Sequence, residues 1–442
     1  MRNILVIGAG RSAVTLIKYL LDNSNEHNWF VTVADFSENL AKQAVHGHIN
    51  GSAIFFDVMD DNQRVSEISN ADIVISMLPA SMHVTVAKDC VRLKKNLVTA
   101  SYVSDDIAEL DNSAKKSGVL LLNEIGVDPG IDHMSAMAVI DNIKDNGGVL
   151  TSFKSFCGGL IHPDYDDNPW KYKFTWNPRN VVLAGQGIAR YIEQGSHKYL
   201  PYNNLFERTD IISVLDAGEF EGYANRDSLI YKKAYGIDNI PNLYRGTLRK
   251  LGYSKAWNVF VQLGLTNDSF KIKASETISN REFINMFLPY SNVYSVEEKL
   301  CKQFNLKLDS AIFTKIEWLG MFDDSVIGIK DASPAQLLEA ILAKKWILDA
   351  EDKDMLVMQH QFKFSLGGKN KALNSSLLVF GEDSRNTAMA KTVGLPVAIA
   401  TKLILNGDII SKGVRIPISK DIYIPVLREL KENGIAFVEE LV

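Results

Sequence analysis

Met1-Arg-Asn-Ile-Leu-Val-Ile-Gly-Ala-Gly-Arg-Ser-Ala13 decides the fold of the first third of the chain. A short apolar run leads into Gly8, Gly10 and Ala13, the G-x-G-x-x-A spacing of a dinucleotide-binding turn. Gly8 permits the tight turn, Gly10 lets a pyrophosphate approach the backbone, and Ala13 keeps the next helix close to the sheet. Arg11 and Ser12 fill the two variable positions, and a helix over 12–21 would direct its N-terminal amides at the phosphates. Trp29-Phe-Val-Thr-Val-Ala34 reads as a second strand ending in Asp35. Asp35 lies a little over ~20 residues past Ala13, where an acid binds the ribose hydroxyls of NAD. A glycine turn in another βαβ unit would leave Asp35 unexplained.

Working outward, apolar runs at 4–7, 30–34, 53–56, 73–77, 97–100 and 119–122 alternate with amphipathic stretches. This predicts a doubly wound α/β sheet over 1–130, a Rossmann dinucleotide-binding domain. The run Asp72-Ile-Val-Ile-Ser-Met-Leu-Pro-Ala80 breaks at Pro79, so Leu78 and Pro79 should face the cofactor at the carboxyl end of a strand. After about residue 138 the pattern changes. Runs at 153–156, 181–183, 220–223, 362–366 and 376–380 read as strands, the last two as a hairpin around Gly367-Gly-Lys-Asn370. They predict a mixed α/β substrate domain over 131–278 and 355–389. Helical spacing at 281–287, 296–304 and 334–350 marks 279–354 as a helical insertion. The segment 390–442, with a helix ended by Gly407, is expected to pack back on the Rossmann domain.

Length and composition narrow the function. A chain of 442 residues calls for two or three domains, and 46% hydrophobic with 23% charged residues is a globular balance. A net charge of −5, with no basic run carrying aromatics, gives no reason to expect nucleic-acid binding. Three separated cysteines form no disulfide framework, and the eight histidines show no H-E-x-x-H pattern, so no metal is expected. No apolar run approaches ~20 residues and the first strand begins at once, so no membrane span or signal peptide is expected. A cytoplasmic location and a homodimer are the corresponding expectations.

The densest chemistry lies in Asn123-Glu-Ile-Gly-Val-Asp-Pro-Gly-Ile-Asp-His133, which follows the apolar run 119–122. Pro129 and Gly130 would fix the Asp128 carboxylate, while Asp132 is the better helix cap. Ser101-Tyr102 follow the run 97–100, where a Tyr can exchange hydrogen bonds near a reacting atom. Cys157-Gly-Gly159 suggests a close backbone approach to a ligand, with the aromatics of Asn168-Pro-Trp-Lys-Tyr-Lys-Phe-Thr-Trp176 as a wall. Asn225-Arg-Asp227 and Arg245-Gly-Thr-Leu-Arg249 place arginines among Gly, Thr and Asn, suited to gripping carboxylates.

Taken together and in order, these segments, with Thr392-Val-Gly-Leu-Pro-Val-Ala398, resemble the saccharopine dehydrogenase family, L-glutamate-forming type, also called saccharopine reductase. The resemblance runs nearly the whole length. It implies a Rossmann domain, a mixed α/β substrate domain and a small helical domain. By the same resemblance Ser101, Tyr102, Asp128, Arg226 and Thr247, Leu248 and Arg249 contact saccharopine. Val127, Asp128, Pro129 and Trp176 lie against the cofactor.

The implied reaction is NAD(P)-dependent oxidation of saccharopine to L-glutamate and 2-aminoadipate 6-semialdehyde, or the reverse reductive condensation. Tyr102 and Asp128 are the candidates for proton handling, with Cys157 a weaker third. One departure concerns the cofactor. Family members using NADP(H) place an Arg just after the second strand, where this chain has Ala34-Asp35-Phe36. NAD is therefore the expected cofactor, with NADP the alternative. Two rival readings are a polyamine enzyme resembling carboxynorspermidine dehydrogenase and a dinucleotide-binding protein without catalysis. Paired arginines argue against the first. Intactness of Tyr102, Asp128 and the arginines argues against the second.

Overall fold

β1 (Arg2–Ile7) buries its last four residues completely and pairs in parallel with β2 (Trp29–Asp35) on one side. The computed structural model describes residues 1–442. β3 (Gly51–Phe55), β4 (Ile73–Ser76), β5 (Asn96–Val98) and β6 (Leu120–Leu122) complete the parallel set, in the order β6-β5-β4-β1-β2-β3. This 3-2-1-4-5-6 order reverses direction between β1 and β4, the crevice where dinucleotides bind. A late strand, Gly413–Arg415, adds in parallel to the outer edge beside β6. Leu5, Ile7, Val74, Leu97 and Leu121 form one buried cluster, which explains the near-continuous apolar runs.

Contacts divide the chain into two compact units. The first comprises Met1–Val149, Ser365–Lys369 and Leu377–Val438, and the second Leu150–Phe364, Asn370–Ser376 and Glu439–Val442. The first unit ends later than residue 130. Helix Ile131–Asp145 belongs to it because Tyr423 donates to Asp141 (2.7 Å) and Lys420 pairs with Asp145 (2.8 Å). Helix Ala388–Asn406 also lies here, against helix Val14–Asp22. A Cβ on Gly394 would stand 2.8 Å from the Leu16 nitrogen, so the contact needs glycine. Against the expectation from the sequence, this helix is by length and composition apolar enough to approach a membrane span. An 18-residue window of this 19-residue helix has a mean hydropathy of 1.5, but 78% of that window is buried, as in a core helix.

The second unit is built on a nine-stranded sheet. Its strands are β7 (Val149–Ile161), β8 (Ile188–Glu193), β9 (Ser196–Pro201), β10 (Thr209–Ser213), β11 (Glu219–Ala224), β12 (Leu243–Lys250), β13 (Asp354–Leu366) and β14 (Lys369–Phe380), with Val438–Leu441 on the edge beside β14. β13 and β14 form the expected hairpin, with Gly367 and Gly368 at φ of 58° and 73°. The stretch 181–183 is not a strand. Asn177 accepts from the Asn180 amide and Pro178 opens a short helix, Pro178–Val182. The 279–354 stretch is helical and clusters with the second unit. Trp170 Nε1 donates to the Lys315 carbonyl (2.7 Å), and Lys173 pairs with Asp352 (2.8 Å).

Candidate active site

In the first unit the strand ends build a nucleotide cradle. Gly8 has φ of 105°, and a Cβ there would stand 2.9 Å from the Met77 carbonyl oxygen, so the β1 turn tolerates only glycine. Gly10 is exposed, with nothing within 4 Å of its would-be Cβ, which leaves backbone open to a phosphate. A 3-10 turn, Arg11–Ala13, precedes helix Val14–Asp22, and Ala13 is buried beneath it. The Asp35 carboxylate accepts from the Ala9 amide at Oδ2 and the Ser37 amide at Oδ1, both 2.7 Å. It thus clamps the glycine turn and retains lone pairs for ribose hydroxyls. A cavity of about 440 Å³ opens beside it, between Phe36 and Asp57 on one side and Leu78 and Pro79 on the other. Phe36 is 72% exposed, and Lys42 is already paired with Glu38 (2.8 Å).

At the ends of the neighbouring strands β5 and β6 stand the acid–base candidates. Tyr102 donates to Asp128 Oδ1 over 3.4 Å, and both side chains are half-buried. Their loops are tied from behind. Glu124, buried with φ of 56°, accepts the Val103 amide at Oε1 (3.0 Å) and meets His133 Nε2 at Oε2 (2.9 Å). Gly130 has φ of 146°, and a Cβ there would collide with the Gly126 backbone. Val127 and Pro129 are buried in this turn. Asp132 is not the cap residue. It lies inside the first turn of helix Ile131–Asp145, where its carboxylate accepts the Gly130 and His133 amides (2.6 and 2.8 Å). Asp128 and Asp132 therefore do have separate roles.

Sequence reasoning missed His83. The Ser101 hydroxyl lies 2.6 Å from His83 Nε2, and His83 Nδ1 lies 2.8 Å from the Ser76 hydroxyl. Burial lowers the imidazole to about 4, so it is neutral at ordinary pH. The available signal was a His four residues past the strand-ending Pro79.

In the second unit β12 carries Thr247 and Arg249 on one face, while Leu248 is fully buried on the other. Leu248 is thus a core residue, and its side chain offers no contact surface to a ligand. Thr247 stands opposite Cys157 on β7. A Cβ on Gly158 would lie 2.6 Å from the Leu248 carbonyl oxygen, so this glycine serves strand packing rather than ligand approach. Cys157 is only 9% exposed.

Arg249 is 3% exposed, with its guanidinium 5.0 Å from the Tyr172 ring centre and 5.4 Å from that of Tyr253. One of its nitrogens donates to the Leu248 carbonyl (2.9 Å), Nε has no partner, and no carboxylate pairs with it. Burial works against this charge, but a guanidinium is never deprotonated in a protein, so the group beside Tyr223, Tyr172 and Tyr253 stays cationic. Burial likewise raises those three hydroxyls, which stay neutral. Arg226 is exposed at φ of 48°, while neighbouring Asp227 pairs with Arg190. Trp170, Tyr172 and Phe174 form an interior aromatic cluster with Trp346, not an open wall; Trp176 alone of these aromatics is half-buried. Tyr172, read in the sequence only as part of an aromatic wall, encloses Arg249 together with Tyr253, which the sequence reading did not single out.

Residues 126–435 match the family described as saccharopine dehydrogenase C-terminal domain. The chain belongs to the saccharopine dehydrogenase family. Residues 4–122 match the saccharopine dehydrogenase NADP binding domain. Among relatives of this family, mitochondrial alpha-aminoadipic semialdehyde synthase of Rattus norvegicus is 35% identical over 460 residues, covering 99% of this chain and 47% of the relative. The chain thus spans about half the length of such curated relatives. Saccharopine dehydrogenase [NADP(+), L-glutamate-forming] of Saccharomyces cerevisiae is 34% identical, covering 99% of both. The solved apo structure of saccharopine dehydrogenase (L-Glu forming) from Saccharomyces cerevisiae superposes with a TM-score of 0.90 at 33% identity, covering 100% of both chains.

Proposed function

We propose that this chain is an L-glutamate-forming saccharopine dehydrogenase, interconverting saccharopine with L-glutamate and 2-aminoadipate 6-semialdehyde. The observation that carries this reading is Arg249, a buried guanidinium with no carboxylate partner. A protein keeps such a charge out of water at a cost that an anionic ligand offsets. Saccharopine brings three carboxylates around one secondary amine, whereas a polyamine would bring cations. Arg226 and Thr247 are assigned to the same substrate.

The nucleotide cradle fits a nicotinamide dinucleotide, through the open backbone at Gly10 and the carboxylate of Asp35. When bound, that cofactor would supply the acceptor for the hydride on the carbon beside the secondary amine. Loss of the amine proton then leaves an imine, and added water breaks the C–N bond. Tyr102 and Asp128 hold the amine and accept or return its proton. Cys157, with little exposure, is assigned at most a packing contact with the substrate.

Asp35 supports NAD(H) as the preferred cofactor. Its carboxylate would pair like charges with a 2′-phosphate, and exposed Phe36 supplies no cation. The Saccharomyces cerevisiae relative carries NADP(+) in its name, which describes that protein. None of the three cysteines forms a disulfide, which supports a reducing compartment such as the cytoplasm. One assay tests the whole reading. NADH and NADPH are followed with saccharopine and then with carboxynorspermidine; turnover of the second alone would replace saccharopine by a polyamine.

A further inference from the structure

His83 bridges the ends of two adjacent strands. Ser76 is the last residue of β4, and Ser101 lies just beyond β5, paired beside it. The imidazole between them is 4% exposed, and each of its nitrogens meets a hydroxyl, at 2.8 Å and 2.6 Å. A neutral ring carries one N–H, so the two nitrogens play opposite roles.

Hydrogen accounting selects the tautomer. Ser76 is fully buried, and its hydroxyl has the His83 ring as its one partner. Were Nδ1 protonated, the Ser76 hydrogen would be left buried without an acceptor. An unmade donor of that kind is costly, whereas an unused acceptor lone pair is not. Ser76 therefore donates to Nδ1, and Nε2–H donates to the Ser101 oxygen. The hydrogen of Ser101 must then be directed away from His83. Ser101 is half-buried and stands next to Tyr102, so its hydroxyl is presented as a donor.

We propose that His83 is a positioning residue for the reaction, fixing the Ser101 hydroxyl as a hydrogen-bond donor to a substrate carboxylate. This rests on the reading of Ser101 as a substrate contact. Polarisation along Ser76–His83–Ser101 strengthens that donor, since each bond in a chain reinforces the next.

Steady-state kinetics of five variants test it. Ser101→Ala and His83→Ala should each raise the KM for saccharopine about ten- to hundredfold, the worth of a hydrogen bond to a charged group. The KM of the cofactor should not change. Combining the two should cost no more than Ser101→Ala alone, because His83 acts only through that hydroxyl. His83→Gln should recover most of the loss, since its amide oxygen accepts from Ser76 while its nitrogen donates to Ser101. His83→Asn is too short to reach Ser101 and should behave like alanine, which keeps the comparison open if His83→Ala fails to fold. Equal effects of Gln and Asn, or losses that multiply in the double variant, would overturn the role of His83. An unchanged saccharopine KM in Ser101→Ala would remove the substrate assignment itself, and this inference with it.

Discussion

The Tyr102 hydroxyl donates to Asp128 Oδ1 across 3.4 Å, joining the residues that follow two neighbouring strands of the first sheet. The bond is long and the pair is half-buried, an arrangement that a ligand amine can enter and shorten. Glu124 holds the loop after Tyr102 through the Val103 amide, so removal of the hydroxyl leaves the loop in place. Tyr102→Phe should keep the fold and dinucleotide affinity while lowering kcat on the order of tenfold. Unchanged turnover across the pH range would reduce Tyr102 to packing.

Arg249 sets function against stability. Arg249→Met keeps most of the packing against Tyr172 and Tyr253 and removes a buried charge that has no acidic partner. Saccharopine binding should weaken by ~1.5–3 kcal/mol, while the melting temperature holds or rises. Titration calorimetry and a thermal melt check both halves. Normal saccharopine affinity would remove Arg249 from the site.

Cofactor preference turns on Asp35 and Phe36. We expect roughly tenfold or greater discrimination for NADH over NADPH in kcat/KM, since each repulsion or lost charge-assisted bond reaches ~1–2 kcal/mol. Asp35→Ser with Phe36→Arg should shift the ratio towards NADPH. Serine keeps an acceptor for the Ala9 amide that Asp35 now binds at 2.7 Å, so the turn should survive. Equal or better kcat/KM with NADPH in the unaltered protein would refute this reading.

His83 makes stability depend on pH. The imidazole is lowered by burial from an ordinary 6.5 to about 4, so between these values the unfolded chain binds more protons than the folded one. Stability should therefore be full above about pH 6.5 and fall as pH drops towards 4, by up to about 3 kcal/mol. Urea unfolding at several pH values measures the slope. His83→Gln, which cannot titrate, should flatten it; an equally steep slope in that variant would assign the acid sensitivity elsewhere.

The sequence by itself determined everything that repeats or turns locally. Apolar runs at strand spacing, Gly8 and Gly10, the acid at Asp35 and the Gly367-Gly368 hairpin all declare themselves within a few residues. The helix Val296–Phe304 was legible residue for residue, because Ser295 and Glu298 form a capping box around a clear period. Tertiary structure alone decided what depends on partners distant along the chain. Trp170 belongs to the interior because Trp346 and the Lys315 carbonyl meet it. Leu248 is core because β12 pairs with β7, and Arg249 is a bare cation because tyrosines rather than acids close over it. Ser76, His83 and Ser101 became one hydrogen-bonded chain only when β4 and β5 lay side by side. Period and turn chemistry act over a few residues and can be read in a window, whereas burial and hydrogen-bond partnership are created by packing.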